Sequence, residues 1–137
     1  MTDGRLIGFE SLCRWREKTT DFHISPEIFI PLIEELGLIS TLCQQGVEDA
    51  AEIINSVLQP LDKGLRVAVN LSPLQFYNPE MVDNLQQIMA NNSIAPHNLE
   101  FEITENALIN DFEQTKLTLQ QLSQLGCVIA LDDFGTG

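Results

Sequence analysis

Short apolar runs alternate along the chain with longer stretches in which apolar residues recur at helical spacing. The runs lie at residues 5–12, 66–73 and 128–131, and a segment of alternating apolar and polar residues lies at 99–105; each of the four predicts a strand. Helical spacing predicts two helices after the first strand and one helix after each of the next two strands. This alternation is typical of parallel βα units, so the sequence predicts an α/β fold with four parallel strands.

Proline and glycine mark the ends of the first two predicted helices. Ser25, which precedes a proline, favours a helix start, while Pro31 predicts a short turn before the main helix. Gly37 is expected to end that helix. A second amphipathic helix is predicted from about residue 40 to residue 58, and Pro60 is expected to close it.

The last two helices carry similar signals. Asn78, followed by proline and glutamate, predicts a helix start, and this helix is expected to stop at residues 91–92. Asp111 predicts the start of the final helix and Gly126 predicts its end. The apolar spacing further predicts that the final helix buries Phe112.

The final apolar run leads into two adjacent carboxylates, Asp132 and Asp133, in a glycine-containing turn. In α/β folds, ligands and catalytic groups collect at the carboxyl ends of strands. Neighbouring carboxylates repel each other unless water or cations lie between them, so the pattern favours a divalent metal ion over a structural role. The alternative is a solvated acidic turn that caps the next helix.

Polar side chains also end the other three predicted strands. Glu10, Asn70 and Glu102 hold the position in their strands that Asp132 holds in the last one. Parallel strands place their carboxyl ends side by side, so these residues and Asp133 are expected on one rim. Five oxygen donors suit magnesium, manganese or calcium, and they suit zinc or copper poorly. The alternative is a solvated rim without a metal ion.

Two further residues are expected near this rim. Glu105 could orient the glycine-containing loop after Asp133, or it could be an exposed acid at a helix start, and the pattern favours neither. Arg14 follows the first strand and would place a guanidinium where a phosphate could bind. The alternative for Arg14 is a surface position stacked on Trp15.

Charge and composition narrow the function classes. The 7 basic and 20 acidic residues give a net charge of −13, which argues against a general binder of DNA or RNA polymers. The sequence shows neither a membrane-spanning run nor a secretory signal, so we expect a cytoplasmic protein or the cytoplasmic part of a larger membrane-bound signalling protein. The three cysteines, Cys13, Cys43 and Cys127, are widely spaced and are expected to be reduced core residues.

Five motifs follow one another in a fixed order, at residues 9–15, 25–31, 70–73, 102–105 and 132–137. They resemble the motifs of EAL domains, which are bacterial cyclic di-GMP phosphodiesterases with a TIM-barrel-like fold. The resemblance implies the following roles: Glu10, Asn70, Glu102 and Asp132 as ligands of Mg²⁺ or Mn²⁺, Asp133 as a ligand of a second metal ion, Glu105 as the residue that holds the following loop, and Arg14 as a contact to cyclic di-GMP.

The implied chemistry is the attack of a metal-activated water on one phosphodiester of cyclic di-GMP, which gives linear pGpG. One departure from the family pattern is small, because Ser11 stands where the signature Glu-Ala-Leu has alanine. This change leaves the ligand Glu10 in place.

The extent of the chain is the larger departure, because a complete (β/α)₈ barrel takes roughly 250 residues. The resemblance implies that residues 1–137 form a partial EAL domain, about half of a barrel. The family's first strand and its carboxyl-terminal half, with a lysine, a general-base glutamate and a glutamine, would be absent. We therefore expect this fragment alone to be inactive, and to form a homo-oligomer through exposed edges at residues 7–12 or 127–131.

Two other functions remain open from the sequence. A degenerate EAL module would bind cyclic di-GMP or a protein partner without hydrolysing the dinucleotide. A different magnesium-dependent barrel enzyme would use the acidic strand ends for enolate or phosphate chemistry.

Overall fold

A computed structural model describes residues 6–20, 22–61, 64–104 and 112–132. The strands are β1 (Gly8–Ser11), β2 (Trp15–Arg16), β3 (His23–Ile24), β4 (Arg66–Asn70), β5 (Leu99–Thr104) and β6 (Val128–Asp132). The helices are α1 (Pro26–Glu35), α2 (Ile39–Ile53), α3 (Gln59–Leu61), α4 (Met81–Asn91) and α5 (Phe112–Leu125). A π-helical turn (Ile54–Leu58) joins α2 to α3, and 3₁₀ turns lie at Pro73–Tyr77 and Pro96–Asn98.

Four strands form one parallel sheet in the order β1-β4-β5-β6. This sheet confirms the predicted α/β fold with four parallel strands. Strands β2 and β3 pair with each other in a separate antiparallel ribbon that the sequence did not predict. Each has only two residues, and so short a strand cannot show the alternation of apolar and polar positions by which strands are recognised.

Alternation along the central strands assigns the two faces of the sheet. Val67 and Val69 of β4 and Phe101 of β5 are at most 5% exposed and belong to the hydrophobic core. The core also takes in residues from α2, α4 and α5, so this face of the sheet is covered by helices. The alternate residues of β4 and β5 point to the other face of the sheet. On that face, Asn70 is exposed and Glu102 is half-buried.

Helix α1 differs from the prediction at Pro31, which lies inside a continuous helix rather than in a turn before it. The helix keeps the hydrogen bonds at both of its ends, from Ile28 N to Ser25 O and from Leu36 N to Leu32 O. Burial of Phe29 to 1% exposure further anchors it, so one missing amide donor is tolerated. Gly37 ends the helix with a φ of +70°, as predicted.

Three other predictions about single residues are wrong. Pro60 lies within α3, which the π-helical turn joins to α2 without a break, so the helical run continues through Pro60 to Leu61. Phe112 is 56% exposed at the first position of α5, whose buried face is formed by Thr115, Thr118 and Leu122. Cys13 is exposed because it lies in the loop beyond β1, whereas Cys43 and Cys127 are buried and free, as predicted.

Gly8 allows β1 to lie very close to β4. A Cβ atom at this position would be 2.4 Å from the backbone oxygen of Arg66, a distance that real Cβ atoms do not adopt. Arg66 N also donates to the carbonyl oxygen of Ile7 at 3.2 Å, which fixes the start of the pairing. Position 8 therefore requires glycine, because the backbones of β1 and β4 lie too close together there for a side chain.

Candidate functional site

The carboxyl ends of β1 and β4 bring Glu10 and Asn70 into direct contact. The side-chain nitrogen Nδ2 of Asn70 donates to Oε1 of Glu10 at 3.0 Å, across 60 residues of sequence. Glu10 is paired with Ala68 in the strand register, and Ala68 and Asn70 are two residues apart on one strand. Glu10 and Asn70 therefore lie on the same, uncovered face of the sheet.

Glu102 lies beside this pair on the next strand. Its Cα is the register partner of Asn70, and its carbonyl oxygen accepts a hydrogen bond from Leu71 N at 2.9 Å. The bond continues the β4–β5 ladder one residue past the end of β4. The structure thus brings together three of the predicted ligand residues, on three adjacent strands.

The remaining predicted residues of the rim are only partly described. The backbone of Asp132 pairs with Thr104, two residues beyond the pair of Ala130 and Glu102, so position 132 is in phase with Glu102. The side chain of Asp132, and the whole of Glu105 and Asp133, lie outside the described residues.

The chemistry of the three described donors fits a hard divalent cation. Glu10 and Glu102 supply carboxylate oxygens, and Asn70 can supply its amide oxygen because its nitrogen is the atom that faces Glu10. Within the described ranges, no group of three or more His, Cys, Asp or Glu side chains lies close enough to hold a metal ion. The described rim contains only two such side chains beside the amide, which agrees with that finding.

A cavity of about 740 Å³ opens between this rim and helices α1 and α2. Asn70 and Thr104 lie at its rim side, and Arg14 comes from the loop after β1. Its apolar lining includes the following side chains from the loop, the helices and the sheet: Leu12, Ile30, Ile39, Leu42, Val69 and Leu71. The cavity thus combines an apolar wall with a few polar and charged side chains, among them Arg14, Glu34 and Asp49, which is the usual composition of a ligand pocket.

Arg14 lies at this cavity as an exposed side chain, and its Nη1 donates to the carbonyl oxygen of Cys13 at 2.9 Å. The neighbouring Trp15 packs edge-on against Phe29, with ring centroids 5.7 Å apart and an interplanar angle of 77°. The ring of Trp15 is thus packed against helix α1. Although Cys13 is exposed as a residue, neighbouring atoms partly desolvate its thiol and raise the pKa of that thiol, while the positive charge of Arg14 and a backbone hydrogen bond act in the opposite direction.

Sequence reasoning missed two side chains that also line the cavity, Glu34 of α1 and Gln75 of the 3₁₀ turn. Gln75 had a signal, because Ser72 followed three residues later by glutamine is the pattern of a capping box, and the structure contains that box. Glu34 had none, because a single glutamate in an amphipathic helix gives no indication of a contact 38 residues away.

None of the helices in the described ranges combines the length and the apolar character that crossing a bilayer requires.

Comparison with known proteins identifies relatives over the whole chain. The family model of the EAL domain matches residues 1–137. MucR of Pseudomonas aeruginosa, a bifunctional diguanylate cyclase/cyclic di-GMP phosphodiesterase, is 35% identical over 98% of this chain, which covers 20% of MucR. PdeG of Escherichia coli K12, a probable cyclic di-GMP phosphodiesterase, is 36% identical over 98% of the chain, which covers 26% of PdeG. The chain thus spans only a minor part of each relative.

Solved structures share the fold. The PaMucR phosphodiesterase in complex with c-di-GMP matches with a TM-score of 0.90 and 35% identity, covering 98% of this chain and 54% of that chain. The FimX EAL domain from Pseudomonas aeruginosa, bound to c-di-GMP, matches with a TM-score of 0.81 and covers 93% of this chain and 50% of that one. At 21% identity, the second match bears on the fold alone.

Proposed function

Because the chain belongs to the EAL domain family, we propose that it is part of a longer protein that binds cyclic di-GMP at the rim of the parallel sheet and hydrolyses one phosphodiester bond to give pGpG. Residues 1–137 alone are expected to be inactive. The observation that carries this proposal is the meeting of Glu10, Asn70 and Glu102 at three adjacent strand ends. The match to a phosphodiesterase in complex with c-di-GMP supports the choice of ligand.

We assign the ligands of Mg²⁺ or Mn²⁺ to Glu10, Asn70, Glu102 and Asp132, with Asp133 serving a second ion. The ions would activate water and neutralise charge on the phosphate. The two described carboxylates hold negative charge at the rim, and the contact between Asn70 and Glu10 fixes how the amide is turned. Glu105 is assigned to hold the loop that follows Asp133.

Arg14 is assigned to the phosphate or the base of the dinucleotide. Its guanidinium is exposed at the cavity, so it can turn toward an anion without breaking an ion pair that the structure shows. A positive side chain at the cavity matters here because a net charge of −13 would otherwise oppose the approach of a dianionic ligand.

The proposal is tested by removing one carboxylate from the rim of the full-length protein. Glu102→Ala is expected to weaken Mn²⁺ binding by at least about tenfold in calorimetric titration and to abolish conversion of cyclic di-GMP to pGpG. Glu113→Ala is the matched control, because it removes the same charge from an exposed position in the first turn of α5. Equal Mn²⁺ affinity and equal turnover in the two variants would contradict the assignment. Dinucleotide binding without product would instead favour a binding module.

We also propose that residues 1–137 on their own self-associate through the edges of the sheet. Edge strand β1 and its flanks expose Ile7 (64%), Phe9 (49%) and Leu12 (51%), and the opposite edge exposes Leu131 (47%). Edge strands with apolar side chains favour pairing with a second copy. Size-exclusion chromatography with light scattering should give at least a dimer, and Phe9→Lys should lower the mass. A monomer at all micromolar concentrations would contradict this proposal.

A further inference from the structure

A hydrogen bond joins helix α1 to the loop that follows β4. Oγ of Ser72 donates to Oε1 of Glu34 at 2.5 Å, and both side chains are half-buried. A hydroxyl that donates to a carboxylate forms one of the shorter and stronger classes of hydrogen bond. The contact spans 38 residues of sequence, so it ties the helical layer to a loop of the sheet.

The other bonds of Ser72 leave it little freedom. Its Oγ accepts a hydrogen bond from Leu74 N at 3.2 Å, and its backbone N–H donates to Oε1 of Gln75 at 3.0 Å. Gln75 is itself only 3% exposed. Since a serine hydroxyl has one hydrogen, and Glu34 takes it, the orientation of the Ser72 side chain is fixed from both sides.

This fixed point lies two residues after Asn70. Leu71, between them, is 4% exposed, and its N–H donates to the carbonyl oxygen of Glu102. The backbone on the carboxyl side of Asn70 is therefore restrained by the hydrogen bonds of Leu71 and Ser72, while the Asn70 side chain contacts Glu10. Glu34, Ser72 and Asn70 all line the same cavity, so the helix reaches the rim through this loop.

We propose that Glu34 is a positioning residue for the rim: its carboxylate holds Ser72 and thereby sets the direction of the Asn70 amide toward Glu10. Glu34 acts through Ser72 and does not itself contact a metal ion or the dinucleotide. The inference rests on the proposed function for the role of Asn70 as an oxygen ligand. The geometry of the contact is independent of that function.

The test uses Glu34→Ala and Ser72→Ala in the full-length protein, with Glu35→Ala as the control. Glu35 is the adjacent acid on the same helix and is exposed, so the control removes the same charge at nearly the same place. The first readout is the pair of side-chain amide signals of Asn70 in the NMR spectrum of metal-free protein, identified by their loss in Asn70→Ala. The second readout is Mn²⁺ affinity.

Both test variants are expected to shift the Asn70 amide signals and to weaken Mn²⁺ binding about tenfold, as the loss of a residue that orients a ligand typically does. Glu35→Ala should change neither readout. Glu34→Gln keeps an acceptor oxygen for the Ser72 hydroxyl, so it should restore the wild-type amide signals. If Glu34→Ala does not fold, Ser72→Ala and Glu34→Gln decide the question.

Unchanged Asn70 signals and unchanged Mn²⁺ affinity in Ser72→Ala would overturn the inference. So would an equal effect of Glu35→Ala, which would indicate a general effect of charge. If the wild-type protein does not bind Mn²⁺ while the Asn70 signals still respond to Glu34, the proposed function fails and the positioning role stands.

Discussion

The two faces of the parallel sheet carry opposite kinds of side chain. On the helix-covered face, Leu99, Phe101 and Ile103 of β5 are at most 1% exposed. On the other face of the same strand, Glu102 and Thr104 are half-buried, and Asn70 of the neighbouring strand is exposed. One strand thus contributes to the core with every second residue and to the candidate site with the residues between them.

Because of this difference, adjacent residues of one strand have different roles: one stabilises the fold and the next belongs to the candidate site. Apolar side chains on the covered face are packed on all sides, so their removal leaves a cavity. Polar side chains on the open face keep contact with water, so their removal costs little folding free energy. Substitution on the covered face of β5 should therefore lower the free energy of unfolding, whereas substitution of the adjacent residue on the open face should mainly affect binding.

The largest effect is expected for Phe101→Ala. This side chain is fully buried in the core, so its removal should lower the free energy of unfolding by about 3–5 kcal/mol. Glu102→Ala, one residue along the same strand, should lower it by less than about 1 kcal/mol while weakening metal binding. Urea denaturation of both variants measures the contrast, and similar losses would show that the two faces are not distinct.

A smaller effect, of about 1–3 kcal/mol, is expected for Gly8→Ala at the edge of the sheet. The added Cβ would meet the backbone oxygen of Arg66, which cannot move without breaking the pairing of β1 with β4. Gly46→Ala is the matched control, because its Cβ would lie 3.7 Å from Val69 Cγ1, an ordinary contact. Since Gly46 lies inside α2, alanine should stabilise the protein there by about 0.5–1 kcal/mol. A loss at position 46 as large as at position 8 would contradict this explanation.

The smallest effect is expected for the ion pair on the open face. Arg66 Nη1 and Glu100 Oε2 are 2.8 Å apart, with side chains 33% and 20% exposed. Glu100→Gln should lower the free energy of unfolding by about 0.2–1 kcal/mol at low salt. The difference should shrink in 1 M NaCl, because salt screens partly exposed charges. A loss of several kcal/mol that does not depend on salt would contradict this prediction, because it would show that the pair behaves as a buried interaction.

The sequence predicted the four parallel strands because three have an apolar run and the strand at residues 99–105 alternates apolar and polar residues. It predicted the gathering of Glu10, Asn70 and Glu102 because parallel strands end together. It did not predict the continuity of α1, since a proline inside a helix is tolerated only when tertiary packing, here of Phe29, compensates for the missing bond. The contact between Glu34 and Ser72 was also beyond prediction, because side-chain contacts between distant segments leave no local pattern. The predicted roles of Glu105 and Asp133 stay predictions.

The parallel pairing of β1 with β4 also has a consequence for the entropy of the chain during folding. The contact from Asn70 to Glu10 closes a loop of 60 residues, whereas the pair of Arg66 and Glu100 closes one of 34. The added cost of the longer loop is below about 0.6 kcal/mol, because loop-closure entropy grows only with the logarithm of length. Strand β1, however, gains pairing on one side only, against two sides for β4. A chain in which only β4, β5 and β6 have joined lacks Glu10 at the rim, so the three residues meet only once β1 has paired with β4.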